Sequence, residues 1–200
     1  MPDPEHKWNP LNPSEVSDLR TGLSVPWWIS GGWAIDLFVG RQTRPHGDID
    51  VLILRPDQLS VQAHLSDWDL HKTGQPGLKP WPMGEFLDPP INDIWGKRKP
   101  EDDWAIQLML MEVEGEEWVF RRAPGIGGPI SRMGKVSDEG IPYLCPEIQL
   151  LYKADRLDIE RNVADFQTAA PELDTAAKDW LVEALKLKYT THNWIDTLTA

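Results

Sequence analysis

Asp48 and Asp50 are the residues of this chain whose types and spacing most clearly indicate chemistry. They begin the run DIDVLIL, residues 48–54, which alternates briefly and then becomes continuously apolar, as in a strand covered on both faces. Alternate residues of a strand point to the same side, so we expect the two carboxylates side by side, with Ile49 facing the core. Such charges repel each other unless a cation or a proton lies between them. A magnesium ion, which prefers oxygen ligands and substrate phosphates, is the expected solution.

Gly31 and Gly32 form a second group that could bind part of a substrate. They follow residues 25–30, VPWWIS, which predict a buried strand, and they precede residues 33–39, which have helical apolar spacing and end at Gly40. Free backbone amides at a helix N-terminus favour a phosphate group. Either feature alone is common in ordinary turns and strand edges. Their order, however, places a phosphate site beside a metal site, as attack on a nucleoside triphosphate requires.

The rest of the chain predicts the elements that must position these groups. Strands are expected over residues 68–73, 91–95, 104–112 and 117–122, and helices over residues 57–66, 147–157, 159–169 and 172–188, with a short helix that ends at Gly22. Residues 74–100 and 123–140 are expected to be largely irregular, with Trp81 and Trp95 as candidates to line a cleft. The prediction is an α/β or α+β core over residues 1–145 and a C-terminal helical lobe over residues 146–200.

Composition excludes several classes of protein. With 20 basic and 32 acidic residues the formal charge is -12, which disfavours nucleic acid as a partner and would attract cationic small molecules, although it also serves solubility. Cys145 is the only cysteine, so an internal disulfide and a thiolate zinc cluster are excluded. There is no long apolar run and no signal peptide pattern, so we expect no membrane association and a cytoplasmic location.

The segment GGWAIDLFVGRQTRPHGDIDV, residues 31–51, resembles the nucleotidyltransferase superfamily that includes DNA polymerase beta, and within it the aminoglycoside 2''-nucleotidyltransferases. The later segments EWVFRR, GIPYLCPEIQLLYKA and ADF also resemble this group, whereas residues 56–103 do so only thinly. The resemblance implies a nucleotidyltransferase-type mixed sheet flanked by helices. It also implies magnesium-dependent transfer of a nucleoside monophosphate, such as AMP from ATP, to a hydroxyl of a small acceptor. A cationic aminoglycoside is one candidate acceptor, but the sequence itself does not identify it.

The resemblance also implies roles for particular residues. It assigns Asp48 and Asp50 as magnesium ligands and Gly31 and Gly32, with Ser30 adjacent, as the triphosphate clamp.

Three further residues are assigned less uniquely. Arg44 is a candidate triphosphate contact, with a structural salt bridge within its loop as an equal alternative, and His46 is expected to order that loop. Lys153 matches a helical lysine of the group and could reach the nucleotide phosphates, with a surface helix position as the alternative. Asp165 matches an acid in the group's downstream helix.

The third carboxylate that the superfamily usually carries is missing from its expected place. The register of residues 104–112 puts Gln107 there, and a glutamine amide is a poor proton acceptor and a weak magnesium ligand. Three interpretations follow: a shifted register brings Asp103 or Glu112 to the site, the enzyme is slow and relies on metal and water, or the chain binds nucleotide without transfer. A nucleotidyltransferase toxin is a further alternative.

Overall fold

The computed structural model describes residues 7–74 and 77–199. In this part of the chain ten strands form a mixed sheet in the order β4-β3-β5-β6-β2-β1-β10-β9, and β7 pairs with β6 and with β8. The strands are β1 Trp27–Ser30, β2 Asp50–Leu54, β3 Asp69–Thr73, β4 Leu78–Pro80, β5 Asp93–Lys97, β6 Ile106–Glu114, β7 Glu117–Val119, β8 Gly127–Pro129, β9 Gly134–Val136 and β10 Pro142–Leu144.

Helices cover both faces of this sheet. They are α1 Pro13–Leu19, α2 Gly31–Val39, α3 Gln58–His64, α4 Pro146–Lys153, α5 Glu160–Ala169, α6 Thr175–Lys188 and α7 Asn193–Thr199. None of the described helices is both long and apolar enough to cross a membrane. Helix α2 ends at Gly40 with φ 71°, a left-handed conformation that glycine adopts without steric cost.

The alternation of side chains along β2 divides the interior into two cores. Leu52 and Leu54 join the core beneath α4, α5, α6 and α7, whereas Val51 and Ile53 join the core that α1 and α3 cover. Burial on both faces explains why this strand is continuously apolar. Strand β2 therefore lies in the middle of the molecule, and only its first residues reach solvent.

Most of the elements predicted around the glycine and aspartate groups are present. The predicted hairpin is β6 with β7, and the expected mixed sheet flanked by helices is confirmed. Helix α2 already begins at Gly31, so the glycine pair is its first turn and does not precede it. Strand β2 begins at Asp50, two residues later than predicted.

The expectation of largely irregular structure over residues 74–100 and 123–140 was partly wrong. Residues 74–100 contain β4 besides β5, which overlaps the strand predicted over residues 91–95, and residues 123–140 contain β8 and β9. The three unpredicted strands have three residues each, and they are too short and too rich in Gly and Pro to show an apolar period. Helix α7 lies within the predicted helical lobe, and strand β10 was not predicted. The last strand ends at Leu144 and α4 begins at Pro146, where the sequence pattern changes from strands to helices. The division into a core and a separate C-terminal lobe stays a prediction.

Candidate active site

One row of side chains crosses the sheet at the start of β2. Asp50 is paired with Ser30 of β1 on one side and with Gln107 of β6 on the other, and Gln107 is paired with Trp95 of β5. Residues directly opposite on neighbouring strands point to the same face. Asp48 and Asp50 are half-buried and Ile49 is fully buried, which is the predicted alternation. The two aspartates thus belong to one polar row on the sheet.

The glycine pair allows the side chains of the site to approach the backbone closely. A Cβ at Gly31, which has φ 67°, would overlap the carboxylate of Asp50, and a Cβ at Gly32 would overlap the guanidinium of Arg44 and the ring of His46. The Gly31 amide donates a hydrogen bond of 2.7 Å to Oε1 of Gln149 in α4. The structure therefore brings Asp50 to the start of α2, and Gln149 occupies the first amide there.

Ser30, the third member of the expected clamp, is almost fully buried. Its hydroxyl lies 3.9 Å from Sδ of Met109, and its side chain does not cap α2. In this structure Ser30 packs at the base of the site, beside Asp50, and does not present a donor to the helix end.

Asp50 has no direct ionic partner among the described residues. Burial, and then the charge of Asp48, raises the pKa of the Asp50 carboxyl to about 7. Among residues 7–74 and 77–199, neither aspartate forms an ion pair or a side-chain hydrogen bond. No three acidic, histidine or cysteine side chains of these residues converge on one point. Two carboxylates that leave further positions to water and phosphate oxygens are a donor set that fits Mg²⁺.

The cavity beside Asp50 is lined by cations. It has a volume of about 170 Å³, and its walls include Arg121, Arg122 and Lys153 together with Gly31 and Asp50. The charge of Lys153 opposes the rise in the pKa of Asp50, so the lysine lies close to it. The cavity is smaller than the roughly 300–1,000 Å³ of complete ligand pockets, so it fits the charged end of a larger substrate. Cations that face a pair of carboxylates able to hold a metal ion suit a triphosphate.

Arg44 and Lys153 meet at a carboxylate of the C-terminal helices. Arg44 forms two hydrogen bonds with Asp165 of α5, at 2.9 and 3.0 Å, and Nζ of Lys153 lies 2.7 Å from the same carboxylate. Lys153 is buried and lines the cavity, so it does not occupy a surface helix position. Arg44 thus forms its salt bridge with a residue outside its own loop, whereas the sequence suggested a salt bridge within the loop as one alternative.

His46 orders the loop between α2 and β2. Its Nε2 lies 2.5 Å from Asp36 of α2, and its ring stacks on Trp33 with centroids 4.3 Å apart. The other oxygen of Asp36 accepts hydrogen bonds from the amide and the hydroxyl of Thr43, at 3.1 and 2.5 Å. The loop that leads to Asp48 and Asp50 is therefore fixed to α2.

A third carboxylate does lie beside the row, but on a different strand from the one expected. Asp93 of β5 is paired with Met109, and its Oδ1 lies 3.5 Å from Nε2 of Gln107. Its charge also contributes to the raised pKa of Asp50. Gln107 stands beside Asp50 and within reach of Asp93, in the register predicted for it.

The alternative acids at the ends of β6 do not complete the site. Both oxygens of Glu112 bind the guanidinium of Arg55, which follows the far end of β2. Asp103 is exposed and precedes β6 on the other side. The interpretation in which a shifted register supplies Asp103 or Glu112 is therefore wrong, because the register Asp50 to Gln107 holds along all five paired residues.

Sequence reasoning missed Asp93, Arg121, Arg122 and Gln149. The third acid was expected on β6, the later strand with a clear apolar pattern. Asp93 lies instead on β5, a short strand inside a Pro-rich segment. The signal available was the run INDIW, in which an acid precedes an apolar pair. No local pattern could show that Gln149 of α4 reaches Gly31, because 118 residues separate them.

The sequence comparisons agree with the motif. The family model described as aminoglycoside-2''-adenylyltransferase matches residues 14–76. A lincosamide resistance protein of Staphylococcus haemolyticus is 42% identical over 36 residues, which are 18% of this chain and 22% of that protein. A 2''-aminoglycoside nucleotidyltransferase of Escherichia coli is 61% identical over 28 residues, 14% of this chain and 16% of that protein. The matched segments span less than a quarter of these relatives.

Solved structures match over most of the chain. The antibiotic-resistance factor ANT(2'')-Ia, solved in solution, superposes with a TM-score of 0.57 at 18% identity and covers 88% of this chain and 90% of its own. The lincosamide antibiotic adenylyltransferase LnuA, in its lincomycin-bound form, gives a TM-score of 0.54 at 19% identity over 78% and 92%. The chain therefore has the fold of these nucleotidyltransferases, and its motif resembles that of the aminoglycoside nucleotidyltransferase-like group.

Proposed function

We propose that this chain transfers a nucleoside monophosphate, AMP from ATP in the first instance, to a hydroxyl of a small cationic acceptor. The observation that carries the proposal is the carboxylate of Asp50, which forms no ion pair among the described residues and faces a cavity lined by Arg121, Arg122 and Lys153. A triphosphate with its metal ion would neutralise both sides of this site. The ion would neutralise the acidic pair, and the phosphates would neutralise the cations that line the cavity.

Asp48 and Asp50 would hold Mg²⁺, and the bound ion would supply charge neutralisation on the phosphate oxygens and a lower pKa for the attacking hydroxyl. Lys153 and Arg121 would bind the phosphates that leave as pyrophosphate. Gly31 and Gly32 would leave room for the triphosphate beside the start of α2.

Asp93 is the residue that we assign to the acceptor's proton. Burial raises the pKa of its carboxyl and the charges of Arg121 and Arg122 oppose that rise. Within the row, the amide of Gln107 donates toward Asp93, so Gln107 would orient the acid and not replace it. A degenerate, non-catalytic chain is therefore not required by the glutamine. The position of Asp93 beside Gln107 would let this carboxylate act as a base next to the proposed metal ligands.

The acceptor would lie over the part of the sheet that the C-terminal helices leave open. No residue of β3 or β5 contributes to the core beneath α4, α5, α6 and α7. On this face Asp93 and Trp95 of β5 are half-buried. Carboxylates attract a cationic ligand, and an aromatic ring offers an apolar surface to a sugar ring. Trp81, by contrast, is buried with its indole nitrogen bound to the carbonyl of Glu85, so it packs the interior.

The ligands named for the matching structures supply the acceptors to test. One structure of ANT(2'')-Ia is described in complex with adenylyl-2''-tobramycin, and LnuA is described as lincomycin-bound. For this chain we propose an amine-bearing antibiotic of one of these two classes.

The test is incubation of the protein with labelled ATP, Mg²⁺ and a panel of aminoglycosides and lincosamides, followed by detection of labelled product and pyrophosphate. We expect one class to be labelled, and Asp50→Asn to abolish labelling. The exposed variant Asp158→Asn is the matched control and should act like wild type. Nucleotide binding without pyrophosphate release on any acceptor would leave a binding module. Growth arrest on expression that Asp50→Asn relieves would indicate a toxin.

A further inference from the structure

Asp165 is a buried acid with two basic partners at the edge of the proposed active site. Its side chain is 1% exposed, and both of its oxygens are used, Oδ1 by Nε of Arg44 and Oδ2 by Nη2 of Arg44 and Nζ of Lys153. We propose that Asp165 is a positioning residue of the transfer reaction, which holds Lys153 toward the nucleotide and fixes the loop that carries the metal-binding aspartates. This role rests on the proposed function.

Asp165 holds two cations that other acids also influence. The charges of Asp36 and Asp48 act on Arg44, and the charge of Lys153 acts on Asp50. Lys153 is buried and lines the same cavity as Asp50. The carboxylate of Asp165, at 2.7 Å from Nζ of Lys153, therefore fixes this ammonium group at the wall of the cavity, where it faces the space open to an anionic ligand.

Asp165 also reaches the loop of residues 41–49 through Arg44. Nη1 of Arg44 lies 3.2 Å from Nδ1 of His46, and His46 is bound to Asp36 of α2. The same guanidinium lies against Gly32, where a side chain would displace it. The carboxylate in α5 thus secures the loop from the side opposite to α2. Asp48, the first of the proposed metal ligands, lies near the end of this loop, so the position of the loop determines the position of Asp48.

Asn162 supports this arrangement one turn earlier in α5. Its amide nitrogen donates to the backbone carbonyl oxygens of Arg156, at 2.9 Å, and Lys153, at 3.4 Å. Asn162 also lines the cavity. It fixes the end of α4, so that Lys153 has both its backbone and its ammonium group held by α5. Helix α5 therefore acts on the nucleotide cavity through Lys153.

The test is a double-mutant cycle on nucleotide binding. The dissociation constant of Mg²⁺ with a nonhydrolysable ATP analogue is measured by calorimetry for wild type, Asp165→Asn, Lys153→Ala and the double variant. We expect each single substitution to weaken binding about tenfold, and the double variant to be weaker than Lys153→Ala by less than tenfold, because Asp165 acts in part through the lysine and in part through the loop. In steady state, the KM for ATP should rise in Asp165→Asn while kcat changes by less than about threefold.

Asp158→Asn is the matched control, since it makes the same substitution in an exposed ion pair outside the cavity, and its affinity should equal that of wild type. An affinity of Asp165→Asn equal to wild type, or effects that multiply in the double variant, would overturn the proposal. Absence of analogue binding by wild type would instead remove the proposed function, and this role with it.

The variant Asp165→Asn leaves two cations without an acid and its folding must be checked by thermal unfolding. If it does not fold, Arg44→Gln is compared with Arg44→Gln/Asp165→Asn, and the half-buried guanidinium is absent from both variants. The second of these should bind the analogue about tenfold more weakly than the first. Equal affinities for the two variants would overturn the role.

Discussion

Asp50 lines the proposed nucleotide cavity and Asp165 binds a lysine of its wall, and the two acids have opposite surroundings. Burial and the charge of Asp48 raise the pKa of Asp50 to about 7, and no cation of the described chain binds its carboxylate. Burial would also raise the pKa of Asp165, but hydrogen bonds and charges from Arg44 and Lys153 outweigh it and lower that pKa. The comparison shows that Asp165 is stabilised in its charged form by the protein itself, whereas Asp50 is not, which is why we assign the ligand to Asp50.

Arg55 shows what complete compensation looks like at the other end of β2. Its guanidinium binds both oxygens of Glu112, the side chain of Asn92 and the backbone carbonyls of Leu87 and Ile91. Every nitrogen of this buried side chain has a partner, so the cluster has no capacity for a ligand. The same strand therefore begins at the proposed active site and ends at a cluster that supports the fold.

We expect the largest effect from a substitution of Asp93, and we expect it on catalysis. Its pKa is raised by burial, as that of Asp50 is, and Gln107 contacts it at the limit of a hydrogen bond. Asp93→Asn should lower kcat by about 10²–10⁴, the usual contribution of a general base, and leave the thermal midpoint unchanged. Pyrophosphate release measures kcat. Activity within tenfold of wild type would assign the proton to water and metal.

The next effect is on stability and should differ between the two acids. Asp165→Asn removes the partner of the buried Lys153 and the half-buried Arg44, and we expect it to lower the free energy of unfolding by about 3–5 kcal/mol. Asp50→Asn removes a repulsion and should not lower it. Urea denaturation of both variants without metal gives the two values. A loss at Asp50 as large as that at Asp165 would mean that Asp50 also has a structural role.

The motif and the elements around it could be predicted because their signals are local. The glycines, the helix behind them and the alternation of Asp48, Ile49 and Asp50 follow from residues within one short segment. The register that puts Gln107 beside Asp50 was also predictable, since β6 is long and strongly apolar. The part of the site proposed to bind metal could therefore be predicted from local order along the chain.

The parts that were missed depend on contacts between distant segments. Asp93 reaches the row because β5 is the next strand in space after β6, although it precedes β6 in the chain. Arg44 looked like a loop residue, and its partner Asp165 lies 121 residues away. A periodicity of two or 3.6 residues contains no information about such pairings.

Added magnesium should distinguish the two acids more finely. Asp48 and Asp50 are the proposed ligands, so Mg²⁺ at about ten times its Kd should stabilise wild type by about 1.4 kcal/mol. For a chain of this size that corresponds to a rise of about 3–6 °C in Tm. Asp50→Asn should lose the rise, and Asp158→Asn should keep it. Equal rises in wild type and Asp50→Asn would place the ion elsewhere.

The smallest effect is the pH dependence of stability without metal, and it has opposite signs for the two acids. The pKa of Asp50 is raised to about 7, so between about pH 4 and pH 7 the folded protein holds a proton that the unfolded chain has lost. Wild type should lose stability relative to Asp50→Asn as pH rises through this interval. At pH 8 in chelator the variant should be more stable by about 1 kcal/mol, with exposure screening part of the effect.

The pKa of Asp165 is lowered, so the stability that this acid contributes is present above about pH 4 and is lost as pH falls further. The stability advantage of wild type over Asp165→Asn should therefore shrink in acid, where the stability advantage of Asp50→Asn over wild type also disappears. Urea midpoints at pH 4, 6 and 8 measure both, and curves that run parallel to wild type for either variant would contradict the assigned surroundings of that acid.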